Sequence, residues 1–153
     1  MEELPAIDDL EAYLASLPES DCTIFMTVKD NAYTGMTEGA KAQLKRLGLY
    51  TEWNENMYRQ PYMAILSEGK KIEGAGGYQA YSDRFAGGRY DVKSIGYNEG
   101  NVASVMINGE ECSVNRRGLN IVVYSHYLDR VVDSVNFDLQ EGDGTAFRKE
   151  QEE

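Results

Sequence analysis

Two runs of β-branched and aromatic residues joined by a polar turn constrain this chain more than any other feature. Residues Asn115–Asp138 read NRRGLNIVVYSHYLDRVVDSVNFD. Leu119, Ile121 and Val123 alternate with Asn120, Val122 and Tyr124, the period of a half-buried strand. Ser125–Arg130 is a polar connection of hairpin length, and Val131, Val135, Phe137 and Leu139 share one face of the returning strand.

Upstream, Ile7, Leu10, Tyr13, Leu14 and Leu17 fall at helical spacing. Asp8, Asp9 and Glu11 stand in the first turn, where acids suit the helix dipole, and Pro18 ends the segment. Thr23–Val28 is an apolar run that predicts a buried strand, closed by the turn residues Lys29-Asp30-Asn31. A second helix follows, capped by Thr37 and stopped by Gly48, with Met36, Ala40, Leu44 and Leu47 on one face. Tyr50–Gln60 is polar and irregular. Pro61–Leu66 predicts a strand, Glu68-Gly69 a turn, and Lys70–Glu73 a return.

Gly74–Gly88 holds five glycines and reads as a loop or a join between halves. Arg89–Tyr97 alternates as a strand. Val102–Ile107 and Glu110–Val114 flank Asn108-Gly109, the favoured two-residue hairpin turn. Gln140–Glu153 is charged and predicts a frayed tail. The expected architecture is α+β, with about seven or eight short, mostly antiparallel strands and two principal helices. Residues 1–140 form one domain on this reading, and 141–153 a charged tail.

The chain of 153 residues is long enough for one domain with a substantial core. Its formal net charge of −11 disfavours nucleic acid and anionic membranes, because the attraction to phosphate is missing. No window is long and apolar enough for a membrane helix. The acidic start MEELPAIDDLEAYL lacks the basic and apolar regions of a signal peptide. Cys22 and Cys112 are too few for a disulfide framework and read as small hydrophobes. No spaced His/Cys/Asp cluster suggests a metal, and no cofactor motif is present.

Several stretches together resemble the ILEI/PANDER-like domain, which occurs in secreted cytokine-like proteins, in a glycosyltransferase stem and in bacterial cell-envelope proteins. They are TIFMTVKDNA at 23–32, MTEGAKAQLKRLG at 36–48, MYRQPYMAIL at 57–66, YDVKSIGYNEGNVASVMINGEECSV at 90–114, and the hairpin at 115–138. The resemblance spans roughly 110 to 130 residues. The motif order differs, as in a circular permutant or a piece of a longer or tandem protein: in the family the Arg-Gly hairpin precedes the helix and the VKD-like strand. The resemblance implies two packed, twisted sheets with two or three helices at the side.

It further implies a non-catalytic carbohydrate-binding module on a cell-surface or extracellular protein. Its partner would be a glycan, such as one containing an N-acetylhexosamine. Asp30, Arg59 and Arg117 match the family's sugar-holding triad. A carboxylate accepts from vicinal hydroxyls, and a guanidinium donates to sugar oxygens in a planar fork. An aromatic face covers the sugar's C–H surface, with Tyr58, Tyr62, Trp53 and Tyr33 as candidates.

Other readings stand beside this one. Asp30 is also a common turn former, and Arg117 can pin the fold by pairing with Asp138. The second functional class is a protein-interaction or homodimerising module, recruiting a partner along an exposed edge strand near 89–97. Asp129, Asp133 and Asp138 supply carboxylates for a glycoside hydrolase, and Cys22 or Cys112 with His126 a nucleophile pair, but acids on turns and a His in a polar hairpin are ordinary surface features. The GAGG of Gly74–Gly77 lacks the Lys and Ser/Thr of a phosphate loop.

Overall fold

In the computed structural model, residues 9–18, 20–67, 70–96, 99–139 and 145–149 are described. The apolar run Cys22–Lys29 (β1) is buried on both faces over most of its length. Ile24, Met26 and Val28 face two helices, while Phe25 faces a second sheet. A strand covered on both sides needs apolar residues at consecutive positions, which accounts for the loss of alternation.

Three layers result. The first holds Leu10–Ser16 (α1) and Glu38–Arg46 (α2). The second is a six-stranded antiparallel sheet. It contains β1, Tyr62–Ser67 (β2), Lys70–Ala75 (β3), Gly118–Ser125 (β8), Arg130–Asp138 (β9) and Thr145–Arg148 (β10), in the order β10-β9-β8-β1-β2-β3. The third is a four-stranded antiparallel sheet of Tyr78–Phe85 (β4), Gly88–Ile95 (β5), Val102–Ile107 (β6) and Glu110–Glu111 (β7), in chain order. The two packed antiparallel sheets agree with expectation. With helices of seven and nine residues, however, the fold is mostly β and not an even α+β mixture.

Local chemistry sets the ends of these elements. Asp9 and Thr37 accept from Ala12 N and Ala40 N at the two helix starts. Asn108 (φ 52°) and Gly109 (φ 83°) make the tight β6–β7 turn.

Four expectations are corrected. Residues 78–85 are a strand and not a loop; the chain changes sheets at Gly76-Gly77, both at positive φ. The predicted tail contains β10, whose Thr145–Arg148 pairs with β9; residues 140–144 and 150–153 lie outside the described ones. The strand near 89–97 is not an edge, because β5 pairs with both β4 and β6.

The fourth correction concerns β9. Val123 lies opposite Asp133 and Tyr124 opposite Val131, so Val132 is an extra, bulged residue. The bulge turns Val131 toward the second sheet, while Val135, Phe137 and Leu139 keep to the helix side.

Candidate functional site

β1, β2, β8 and β9 bring the predicted triad to one end of the six-stranded sheet. Lys29 is opposite Gly118, so Asp30 and Arg117 follow and precede a paired position on neighbouring strands. Thr27 is opposite Met63, which places the segment before β2, and with it Arg59, on the other flank of Asp30. Asp30 and Arg59 meet in this way, while Arg117 lies at the same end of the sheet with its guanidinium on Asp138 of β9.

The Asp30–Arg59 pair is loose: Arg59 Nε lies 3.5 Å from Asp30 Oδ1. That oxygen is buried and accepts no hydrogen bond. Both residues hold left-handed backbone, Asp30 at φ 63° and Arg59 at φ 56°. Such a conformation is uncommon for arginine and requires support from its surroundings. Asn31 provides part of it, since its side-chain Oδ1 accepts from Tyr33 N at 3.1 Å and from Arg59 N at 3.4 Å. The Arg59 guanidinium lies 5.4 Å from the ring centre of Tyr58, which is 45% exposed.

Arg117 is held differently. Its Nε donates to Asp138 Oδ1 at 3.1 Å and its Nη2 to Asp138 Oδ2 at 2.9 Å, a two-pronged pair. The main chain beneath it is fixed by buried amides. Asn136 Nδ2 donates to the Arg116 and Arg117 carbonyls at 3.1 and 3.0 Å, and Asn120 Nδ2 to the Arg116 carbonyl at 2.9 Å. Arg116 stacks on Phe147, 3.9 Å from its ring centre. Asn31, Asn120 and Asn136 are the supporting residues that pattern reading missed. The Asp-Asn pair after β1 was a local signal, but the two buried asparagines occupy ordinary strand positions.

Tyr62 is corrected as a sugar-stacking candidate. It is fully buried, packs on Trp53 with ring centres 4.8 Å apart, and donates its hydroxyl to Glu73 Oε2 at 2.8 Å. Burial and the neighbouring Glu73 hold its phenol well above the ordinary range. Trp53 is buried with it, and Tyr33 is partly buried against the core. Of the named aromatics, Tyr58 presents an exposed ring at this end.

The remaining candidates have partners within the fold. Asp129 accepts from the Tyr124 hydroxyl, and Asp133 from Tyr13 and Arg148. His126 Nε2 lies 2.8 Å from Thr23 Oγ1. Cys22 is buried, with its Sγ 3.5 Å from the Pro18 carbonyl oxygen, and Cys112 is half-buried. Among the described residues, no group of three or more His, Cys, Asp or Glu is arranged to hold a metal ion, and no helix is long and apolar enough to cross a membrane. A groove of about 680 Å³ lies apart from the triad, between the β6–β7 hairpin and β9, with Cys112, Tyr124, Val131 and Ser134 in its lining. Comparison with protein-family models, curated proteins and solved structures finds no match to this chain.

Proposed function

We propose that this domain is a non-catalytic carbohydrate-binding module, with its sugar held at the end of the six-stranded sheet by Asp30, Arg59 and Arg117. The observation that carries the reading is Arg59 itself. An arginine in left-handed backbone, steadied by Asn31, aims its guanidinium at Asp30 without closing a tight ion pair. At 3.5 Å the pair is longer than a well-made charged hydrogen bond, and the buried Asp30 Oδ1 keeps its capacity to accept from a sugar hydroxyl.

Asp30 would accept from hydroxyls and Arg59 would donate to ring, hydroxyl or acetamide oxygens. Tyr58 would cover a C–H face of the ring. Arg117 is the fixed member, because its fork is already oriented by Asp138. The resemblance to the ILEI/PANDER-like domain supports the same assignment, and with it a parent protein of the cell envelope or of glycan processing.

A glycan-array screen of the wild type beside Asp30→Asn and Arg59→Met tests this. Each substitution removes a charge at nearly constant shape. Selective binding by the wild type, lost in both variants with unchanged circular dichroism, is the expected result. A folded wild type that binds no glycan, or variants that bind as well as it does, would overturn the reading.

A further inference from the structure

We propose that two copies of this chain pair antiparallel through the open edge of β4, with Tyr81 on the two-fold axis. Among the described residues, β4 is the outermost strand of its sheet and pairs only with β5. Phe85 lies opposite Gly88 across a two-residue turn, so odd-numbered residues of β4 direct their main-chain groups toward β5. Tyr78, Ala80, Ser82 and Arg84 direct theirs outward. Among the described residues, only the Arg84 amide of these meets a partner within the chain, Asp83 Oδ1 at 2.8 Å.

The opposite edge of the same sheet is sealed by the chain's own side chains. Glu111 Oε2 accepts from Val105 N at 2.9 Å, and Asn115 Oδ1 from Ala103 N at 2.8 Å. Ser113 Oγ donates to the Ala103 carbonyl at 2.8 Å. An unprotected edge of eight residues beside a protected one is a template for another strand.

The sequence of β4 favours a second copy as that strand. An axis at Tyr81 sets Ala80 opposite the other copy's Ser82, two small residues whose outward groups bond in register. It sets Gln79 opposite Asp83, an amide donor to a carboxylate, and Tyr78 opposite Arg84, an aromatic face to a guanidinium. Each pairing occurs twice, as a closed two-fold interface requires. An axis at Ser82 would set Gln79 against Phe85 and lose the amide–carboxylate pair.

β3 reinforces this choice from below. It runs antiparallel beneath β4, with Lys70 Nζ 2.9 Å from Asp83 Oδ2 and a Cβ at Gly74 falling 2.0 Å from Gln79 Oε1. Ile72 and Tyr81 pack against the same core cluster. The same axis carried through Ile72 sets Lys71 opposite the other copy's Glu73.

Sedimentation over a concentration series, with two kinds of variant of the full chain, tests the proposal. The wild type should show a reversible monomer–dimer equilibrium. Ala80→Pro removes an outward N–H and no β4–β5 bond, so it should sediment as a monomer with the wild-type circular dichroism. In a Cys112→Ser background, Tyr81→Cys should oxidise to a covalent dimer. Residues opposite each other at a non-bonded antiparallel position lie about 4.5 Å apart at Cα, within disulfide reach. Gln79→Cys, opposite Asp83, should not cross-link to itself. A wild type that stays monomeric, or cross-linking at 79 as efficient as at 81, would overturn the proposal even where Ala80→Pro fails to fold.

Discussion

The hydroxyl of Tyr13 on α1 donates to Asp133 Oδ2 on β9 at 2.8 Å, across a sequence separation of 120 residues. Arg148 Nε holds the other carboxylate oxygen at 3.2 Å. The bulge at Val132 makes this contact geometrically available, because it sets Asp133 opposite Val123 on the helix-facing side. One hydrogen-bonded carboxylate thus joins the N-terminal helix, the bulged strand and the last described strand.

Tyr13→Phe should therefore destabilise the fold by about 1–3 kcal/mol, the cost of leaving a buried polar group one partner short. The ring's packing on Phe137, with centres 5.3 Å apart, is kept. Urea denaturation of the variant beside the wild type measures the difference. A change within error would mean that Arg148 alone satisfies Asp133.

Tyrosine ionisation should limit stability at alkaline pH. Burial, reinforced by Asp133, raises the Tyr13 phenol well above its ordinary value, and burial with Glu73 does the same to Tyr62. Burial and the bond to Asp129 push Tyr124 up to about 12. In each case the folded state binds the phenolic proton more tightly than the unfolded state. Their stabilisation is therefore complete below about pH 10 and is lost as the pH rises through the folded values. Phenolate absorbance and far-ultraviolet circular dichroism, followed together, should change cooperatively for these residues. Complete ionisation of all eleven tyrosines with the circular dichroism intact would refute the expectation.

Much of this architecture is legible in sequence where one local signal acts alone. Thr37 caps α2, Gly48 follows it at φ 92°, and Asn108-Gly109 turns the β6–β7 hairpin, each through chemistry within a few residues. The alternation in β8 was legible too, but its meaning was not. Val122 and Tyr124 face a second sheet and not solvent, because β4, β5 and β6 cover that face, and the alternation within β8 carries no sign of that cover. β4 was hidden by its glycine-rich flanks, and β10 by its charged surroundings. For the triad, strand pairing sets Asp30 and Arg59 in contact, while Arg117 at the same end of the sheet pairs with Asp138. Exposure then separated Tyr58 from Tyr62, a distinction that neighbouring aromatics in one sequence motif do not carry.

The two arginines of the site should separate in a stability measurement. Arg117→Ala leaves Asp138 without its two-pronged partner, and a charge-assisted pair of this kind contributes about 2 kcal/mol. Arg59→Ala removes a looser and more exposed pair, for which about 0.5 kcal/mol is the ordinary scale. Thermal or urea denaturation of both variants gives the order directly. Equal losses would mean that Arg59 is as much a structural pin as Arg117.

Gly118 is where the chain should tolerate substitution least. It stands at φ 112° at the start of β8, next to Arg117. A Cβ there would fall 2.1 Å from the carbonyl oxygen of Phe137, a main-chain atom of the paired strand that cannot swing aside. Gly118→Ala therefore combines unfavourable backbone with a clash inside the β8–β9 ladder, and it should cost about 3 kcal/mol or more. Gly109 provides the control. It too has positive φ, at 83°, but a Cβ there meets nothing within 4 Å. Gly109→Ala should show the backbone penalty alone, on the order of 1 kcal/mol. Denaturation midpoints of the two variants test the difference. Equal losses would show that β9 yields at Phe137, so that the end of β8 carrying Arg117 is less rigid than its hydrogen bonds imply.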